Sequence, residues 1–255
     1  MKNEGLRRMG FRPTGGSVHL SRTIMLEELT RLLDLLESDP EASLKVAIVE
    51  ENYLGKPTVS SRYITYGKLK TLYALDDNTP LFRTFHRLWS ANQAGRPLLA
   101  FLVAQCRDPV LKNVHQIIAK TPINEGIPVR TVEEFLTTNF GYKLQPTTCR
   151  SASRSIRSSW SQAGFLTAEK FRKRPSVTVE ALTLALWIGI VEGYQDHRLL
   201  ECPSVAMLEL DLSDKENLLQ AAPQRGYLEY RNAGGILEIR LPQWFTSQEK
   251  ELLHV

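Results

Sequence analysis

The longest apolar run in the chain is Ala181 to Val191, ALTLALWIGIV, which carries no charged side chain. A membrane-spanning helix needs about 20 such residues, so this run is too short to cross a bilayer. It predicts instead a helix that is buried on every side. With 255 residues, of which 42% are hydrophobic and 24% charged, the chain can build a core around such a helix.

The rest of the apolar pattern is mostly helical. Met25, Leu29, Leu32, Leu33 and Leu36 recur at helical spacing, and that helix should end at Ser38-Asp39-Pro40. Thr79 and Asp108 are suited to cap helices, and Thr131 to Glu134 forms a capping box. Further helices are predicted over 42–50, 60–74, 81–94, 97–106, 109–120, 131–140 and 213–222.

Strand signals come late in the chain. Residues 165–166 and 177–179 are candidate strands on either side of a basic tip, and 227–231 and 236–241 flank the hairpin turn Asn232-Ala233-Gly234-Gly235. The predicted fold class is mainly α, with a helical domain, then a winged-helix domain, then a small helix plus β-hairpin module. The predicted bounds are a basic flexible arm at 1–16, the helical domain at 17–107, the winged helix-turn-helix domain at 108–195 and the C-terminal module at 196–255.

Positive charge is concentrated in two segments. Residues 147–174 hold seven basic side chains and one acid, and residues 1–22 hold five basic side chains and one acid, although the whole chain is only +4. A local basic patch on a nearly neutral protein indicates a polyanion bound at one place. By contrast, the last 60 residues contain ten acids and six basic residues, so that module should not face DNA.

Residues 147–163 predict a helix with two unlike faces, capped by Thr147 or Thr148. Cys149, Ala152, Ile156, Trp160 and Ala163 share an apolar face, and a face about 120° away carries three arginines among serines. Such a helix can pack on a domain and still enter a major groove. The predicted DNA-binding residues on this helix are Arg150, Arg154 and Arg157.

Two further sets of cations are candidate phosphate contacts. The predicted wing tip after the helix supplies Lys170, Arg172, Lys173 and Arg174, and the predicted arm supplies Arg7, Arg8 and Arg12. The alternative is that these cations, and the arginine face, are solvated charges with no partner.

Catalytic and metal-binding patterns are not found in the sequence. Cys106, Cys149 and Cys202 are far apart and lack ligand spacing, which predicts reduced thiols in a cytoplasmic protein and neither zinc nor a disulfide framework. The five histidines are scattered, and no apolar segment typical of a signal peptide follows the N-terminus. Gly55-Lys56 lacks the upstream glycine of a phosphate loop. We expect no cofactor, no metal and no small-molecule substrate.

One block has a recognisable relative. Glu50 to Arg62, EENYLGKPTVSSR, is similar to the conserved block of the BrxA family, small proteins of BREX phage-defence systems. Residues 158–166 and the order of a helix at 213–222 followed by Gly226-Tyr227-Leu228 also resemble that family. The resemblance implies a helical N-terminal part, winged-helix elements, DNA binding and no known catalysis. Within the block, Asn52 and Gly55 suit a turn between helices, Lys56 follows it, and Arg62 is placed to tie it down.

The sequence therefore predicts a non-catalytic protein that binds double-stranded DNA and belongs to a multi-protein phage-defence assembly. The alternative from a second class is a protein–protein scaffold of the same assembly that does not bind DNA itself. An enzyme is the third alternative. A DNA-binding assay at two salt concentrations separates the first two, and a nuclease or ATPase screen with Mg²⁺ tests the third.

Overall fold

The structure, a computed structural model, describes residues 2–140, 144–233 and 236–253. It is mainly helical, with 62% of residues in helices, and carries one two-stranded antiparallel hairpin near its C-terminus. The prediction of a mainly α fold is therefore confirmed. Within the described residues, no helix is both long and apolar enough to cross a membrane.

The described residues up to 107 contain six α-helices and the short 3-10 helix Gln93–Gly95, and the α-helices after residue 25 lie close to their predicted positions. In the second helix, Leu29, Leu32, Leu33 and Leu36 are buried, as the helical spacing predicts. Thr58 and Ser61 form a reciprocal capping box that starts the fourth helix. The helices are α1 (Lys2–Arg8), α2 (Leu26–Ser38), α3 (Leu44–Val49), α4 (Val59–Tyr73), α5 (Pro80–Ala91) and α6 (Arg96–Arg107).

Part of the predicted flexible arm packs against the rest of the protein. After α1, Met9 and Phe11 are buried, and the Phe11 ring stacks on Trp187 with 6.3 Å between the ring centroids. The backbone N–H of Arg12 also donates to the Cys106 carbonyl at 3.0 Å. The apolar residues of this segment show neither helical nor strand periodicity. Their burial therefore depends on contacts with distant residues such as Trp187 and could not be predicted from local sequence.

The middle of the chain contains α7 (Pro109–Val114), α8 (Gln116–Lys120), α9 (Val129–Phe140) and α10 (Pro146–Gln162). Asp108 caps α7 by accepting from the backbone N–H groups of Val110 and Leu111, as predicted. The predicted single helix over 109–120 is divided at His115. The predicted starts of the next two helices are wrong. Helix α9 begins at Val129, before the predicted capping box, and α10 begins at Pro146, because proline is favoured in the first helical turn.

Three short extended segments, around Gly126, Leu166 and Phe171, lie in the part of the chain that follows α8 and precedes Val179, and they pair with one another. Isolated antiparallel bridges join Gly126 to Phe171 and Leu166 to Arg172, so residues 171–172 lie between the two other segments. The predicted strand over 177–179 was wrong, because Thr178 accepts a hydrogen bond from the N–H of Ala181 and Val179 begins the next helix.

That helix is α11 (Val179–Val191), and every one of its residues is buried, as the apolar run predicts. It packs against α5 and α6 from the first part of the chain and against helices of the last part. Trp187 stacks on Phe245, at 5.6 Å between centroids, as well as on Phe11. The remaining elements are α12 (Asp196–Leu199), α13 (Pro203–Ala206), α14 (Leu212–Gln224), β1 (Glu229–Ala233), β2 (Ile236–Arg240), the short 3-10 helix Pro242–Trp244 and α15 (Ser247–Leu253).

The predicted C-terminal hairpin is confirmed. Strands β1 and β2 pair antiparallel with Glu229 opposite Arg240 and Ala233 opposite Ile236. Of the four residues of the predicted turn, Asn232 and Ala233 belong to β1, and Gly234 and Gly235 lie outside the described residues.

Candidate nucleic-acid interface

Helix α10 has one buried face and one exposed face. Cys149, Ala152, Ile156 and Trp160 are buried, and the helix packs along α9. Burying four such side chains at helical spacing fixes the rotation of the helix about its axis. The opposite side of the helix is therefore held toward solvent.

Two predicted arginines occupy that exposed side. The side chain of Arg150 is 63% exposed, and its Nε atom lies 3.6 Å from Oε1 of Glu133 on α9. Arg154 is also exposed, and so is Ser151 between them. A carboxylate at this distance in water holds Arg150 weakly, so the guanidinium remains open to a second anion.

The third arginine of the helix differs from the first two. Arg157 is half-buried, and its Nε atom is buried without a hydrogen-bond partner in the described part of the chain. Burial lowers the pKa of Arg157. Its side chain therefore also belongs to the packing of the domain, and a substitution there affects both the fold and the exposed surface.

The hairpin after α10 is short and basic. Lys170, at φ 72°, closes its turn, and the Lys170 ammonium donates to Oγ of Ser161 on α10 at 2.7 Å. Lys173 and Arg174 follow and are exposed. The hydrogen bond from Lys170 holds the hairpin against the last turn of α10.

Arg172 does not belong to this exposed set, contrary to its prediction as a phosphate contact. It is buried, its Nε donates to the Ile118 carbonyl at 3.2 Å, and its guanidinium forms an ion pair with Glu209. Burial, with a contribution from the positive charge of Arg172, lowers the pKa of neighbouring His115 to about 3. Arg172 therefore ties α8, the hairpin and the segment before α14 together.

The three arginines of the N-terminal segment lie on other elements. Arg7 donates to Oγ1 of Thr14 at 3.0 Å, Arg8 pairs with Glu4 at 3.7 Å, and Arg12 donates to the Arg107 carbonyl at 3.3 Å. No hydrogen bond or ion pair joins them to α9 or α10 in the described ranges. The structure does not bring this set together with the arginines of α10.

The block from Asn52 to Arg62 forms a firmly held turn between α3 and α4, called here the Asn52 turn. Asn52 (φ 55°) and Gly55 (φ 65°) have left-handed backbone, and Oδ1 of Asn52 accepts from the N–H of Lys56 at 2.7 Å. The Lys56 ammonium pairs with Glu28 at 2.8 Å, and Arg62 donates to the Val49 carbonyl at 3.3 Å. These four residues therefore fix the geometry of the connection.

A buried polar cluster joins distant parts of the chain, and sequence reasoning missed it. Oδ2 of Asp108 lies 2.9 Å from Nδ1 of His19, and Nε2 of His19 lies 3.1 Å from Oγ of Ser159 on α10. All three side chains are buried. Ser159 donates to the Ser155 carbonyl and accepts from the N–H of Ile24, so its hydroxyl is fully used. Although Asp108, His19 and Ser159 are in the contact order of a catalytic triad, the cluster is buried and has no access for a substrate; it connects α10 to the segment between α1 and α2 and to the start of α7.

Asp108 is held in its charged form by this cluster. Burial alone would raise the pKa of Asp108, but the hydrogen bond and electrostatic effect of His19, with bonds from Ser17 and the Leu111 N–H, hold that pKa well below its usual range. The contact between His19 and Asp108 joins residues 89 positions apart, and no local sequence pattern predicts it.

The exposed surface of α10 and the hairpin thus carries arginine, lysine and serine side chains. Groups of these kinds can form hydrogen bonds with phosphates and with base edges. In the described part of the chain, no group of three or more His, Cys, Asp or Glu side chains is positioned to hold a metal ion. No protein-family model matches the chain, and no curated protein matches it at a significant level.

Proposed function

We propose that this chain is a non-catalytic protein that binds duplex DNA through the exposed arginine and serine face of α10. The observation that carries the proposal is the placement of Arg150 and Arg154 one turn apart on a helix whose opposite face is buried. A helix of this kind fits the major groove, and arginine forms bidentate contacts with guanine or phosphate. Small serines beside the arginines leave room for the DNA backbone.

The order of elements around α10 supports assigning residues 108–195 to the winged helix-turn-helix class. Helices α7 and α8, an extended segment, α9, α10 and then a hairpin follow each other in the order of that class. On this assignment α10 is the recognition helix. The wing contacts phosphates through Lys170, Lys173 and Arg174, without Arg172.

We further propose that the protein acts within a BREX-type phage-defence assembly, on the resemblance of the Glu50–Arg62 block. The excess of acids after residue 195 favours contact of that module with protein and not with DNA. The second candidate, a scaffold that binds no DNA, is favoured by two ion pairs: Arg150 with Glu133, and Arg130 with Glu134 at 2.7 Å. These carboxylates reduce the positive potential near the start of α10.

The test measures affinity for two unrelated duplexes by fluorescence anisotropy at several salt concentrations. If three to six cations neutralise phosphates, log affinity falls with log salt at a slope of about −3 to −5, at roughly 0.9 per phosphate. Absence of binding to either duplex at low salt would support the scaffold and contradict the proposal. A nuclease and ATPase screen with Mg²⁺ covers the enzymatic alternative and is expected to be negative.

The hairpin gives a second prediction. Replacing Lys173 and Arg174 together by alanine should weaken binding to both duplexes by the same factor and flatten the salt slope by about 2, because phosphate contacts carry no sequence information. The matched control replaces Arg198 and Arg231, two exposed arginines of the C-terminal module, and should leave affinity unchanged. Selective loss of one duplex would mean that the hairpin reads bases.

A further inference from the structure

Exposed apolar side chains are concentrated in one stretch of the chain outside the proposed DNA interface, the Asn52 turn and α4. Among the described residues, seven large apolar side chains are exposed, and four of them lie in the Asn52 turn or on α4. They are Tyr53 (38% exposed), Val59 (58%), Tyr63 (54%) and Ile64 (49%). Single exposed apolar residues are ordinary, but a cluster on one element marks a surface that is covered by something else.

Helix α4 is apolar on two sides. Thr65, Leu69, Leu72 and Tyr73 form its buried side, toward the rest of the protein. At 100° per residue, Tyr63, Ile64 and Gly67 lie together on the opposite side. Only one apolar side is needed to hold a surface helix on its own domain, so among the described residues the second side is left without a partner.

Gly67 lies at the centre of this second side, three residues after Ile64 and four after Tyr63. A Cβ atom added at Gly67 would meet no atom within 4 Å, so the packing of the protein does not require a glycine there. Glycine inside a helix is less stable than alanine. A glycine at the middle of an exposed apolar side does, however, allow the backbone of a second helix to approach closely.

The Asn52 turn holds the surface in a fixed shape. Besides the contacts within the turn, the guanidinium of Arg31 lies over the Tyr53 ring at 5.4 Å from its centroid and donates to the Tyr53 carbonyl. Tyr53 is thus fixed while remaining partly exposed. A rigid aromatic side chain loses little entropy when a partner binds, which is typical of residues that dominate an interface.

The charged side chains on the flanks of the exposed side of α4 are positive. Residues 52–75 contain no acid, and Lys68 and Lys70 lie on opposite flanks of the exposed side of α4. We propose that Tyr53, Tyr63, Ile64 and Gly67, flanked by the two lysines and called here the α4 surface, dock an amphipathic helix with acidic flanks from a partner protein. The Asn52 turn then has a role, since it fixes the start of α4 and the position of Tyr53.

Three other occupants fit less well. A second copy of this chain would place lysines against lysines if the same surfaces met. A lipid surface gains from buried apolar side-chain area, to which the central glycine adds nothing. DNA would be bound by cations at the centre, whereas here the cations lie on the flanks.

The first test places a photo-reactive benzoylphenylalanine at position 64 of the full chain in its host cells. After irradiation, the cross-linked peptide is sequenced. The expected result is a segment of another protein with an apolar stripe at helical spacing and acids on its flanks. The control carries the probe at Gln220, an exposed position of α14. Cross-links only to a second copy, to nucleic acid or to lipid, or none above the control, would overturn the proposal.

The second test uses that segment as a synthetic peptide and measures its affinity by anisotropy. Tyr63→Ala with Ile64→Ala, Gly67→Gln, and Lys68→Glu with Lys70→Glu should each weaken binding at least tenfold, with DNA affinity unchanged. Gly67→Ala should raise the melting temperature and yet weaken peptide binding, a pair of effects that a purely structural role does not produce. Equal peptide affinity for the wild type and all these variants would overturn the proposal. Because DNA binding is measured separately, failure here leaves the proposed function untouched.

Discussion

Replacing Arg150 and Arg154 together by alanine is expected to lower duplex affinity by at least about thirtyfold, since each arginine at a base or phosphate contributes about 1–3 kcal/mol. Both side chains are exposed and pack against nothing in the interior, so the free energy of unfolding should change by less than about 0.5 kcal/mol. Fluorescence anisotropy and thermal melting measure the two quantities on the same preparations.

The matched control for this variant is the double replacement of Arg198 and Arg231, which removes the same charge from the C-terminal module. It separates loss of a contact from loss of overall positive charge. Arg157 is left in place, because its partly buried side chain would mix a folding effect with a binding effect. Unchanged affinity of a folded Arg150 and Arg154 variant would contradict α10 as the DNA-contacting helix.

Replacing Asp108 by asparagine is expected to cost about 3–5 kcal/mol of unfolding free energy, because it removes the charge from a buried hydrogen-bonded carboxylate. One oxygen of Asp108 accepts from Oγ of Ser17 and the N–H of Val18, both at 2.8 Å, and lies 2.9 Å from Nδ1 of His19. The other oxygen caps α7. An amide nitrogen in either place accepts nothing. Urea unfolding measures the cost.

Acid should reduce the difference between this variant and the wild type. The pKa of Asp108 is depressed in the folded state, so its contribution to stability is full above the unfolded-state pKa of about 4 and is lost as pH falls below that value. The control is Asp211→Asn, at the exposed cap of α14, which should cost little because asparagine caps helices as well as aspartate. A cost for Asp108→Asn no larger than the control would contradict a central role for the cluster.

The helices were largely predictable because apolar residues recur at helical spacing in the sequence and form the buried faces. Leu29 and Leu36 of α2, the whole of α11 and the alternation of the C-terminal hairpin all bury the sides that their spacing indicates. Helix starts were less predictable. Helix α10 begins at Pro146, a proline in its first turn. Thr147 and Thr148, which the sequence suggested as N-caps, lie inside the helix.

The candidate site was predictable only in part. The opposition of Ile156 to Arg150 and Arg154 follows from helix geometry, whereas the burial of Arg172 follows from Glu209 and the Ile118 carbonyl, which are distant in sequence. A run of four cations gives no local sign of which one turns inward.

The aromatic stack at α11 has a consequence for how the protein is made. Trp187 stacks on both Phe11 and Phe245, so one of its ring partners is synthesised well before α11 and the other well after it. Helix α11 cannot be covered on both sides until the segment that carries Phe245 has been synthesised. During translation the apolar side chains of α11 therefore stay exposed to solvent, and nascent chains with exposed apolar surface depend on chaperones.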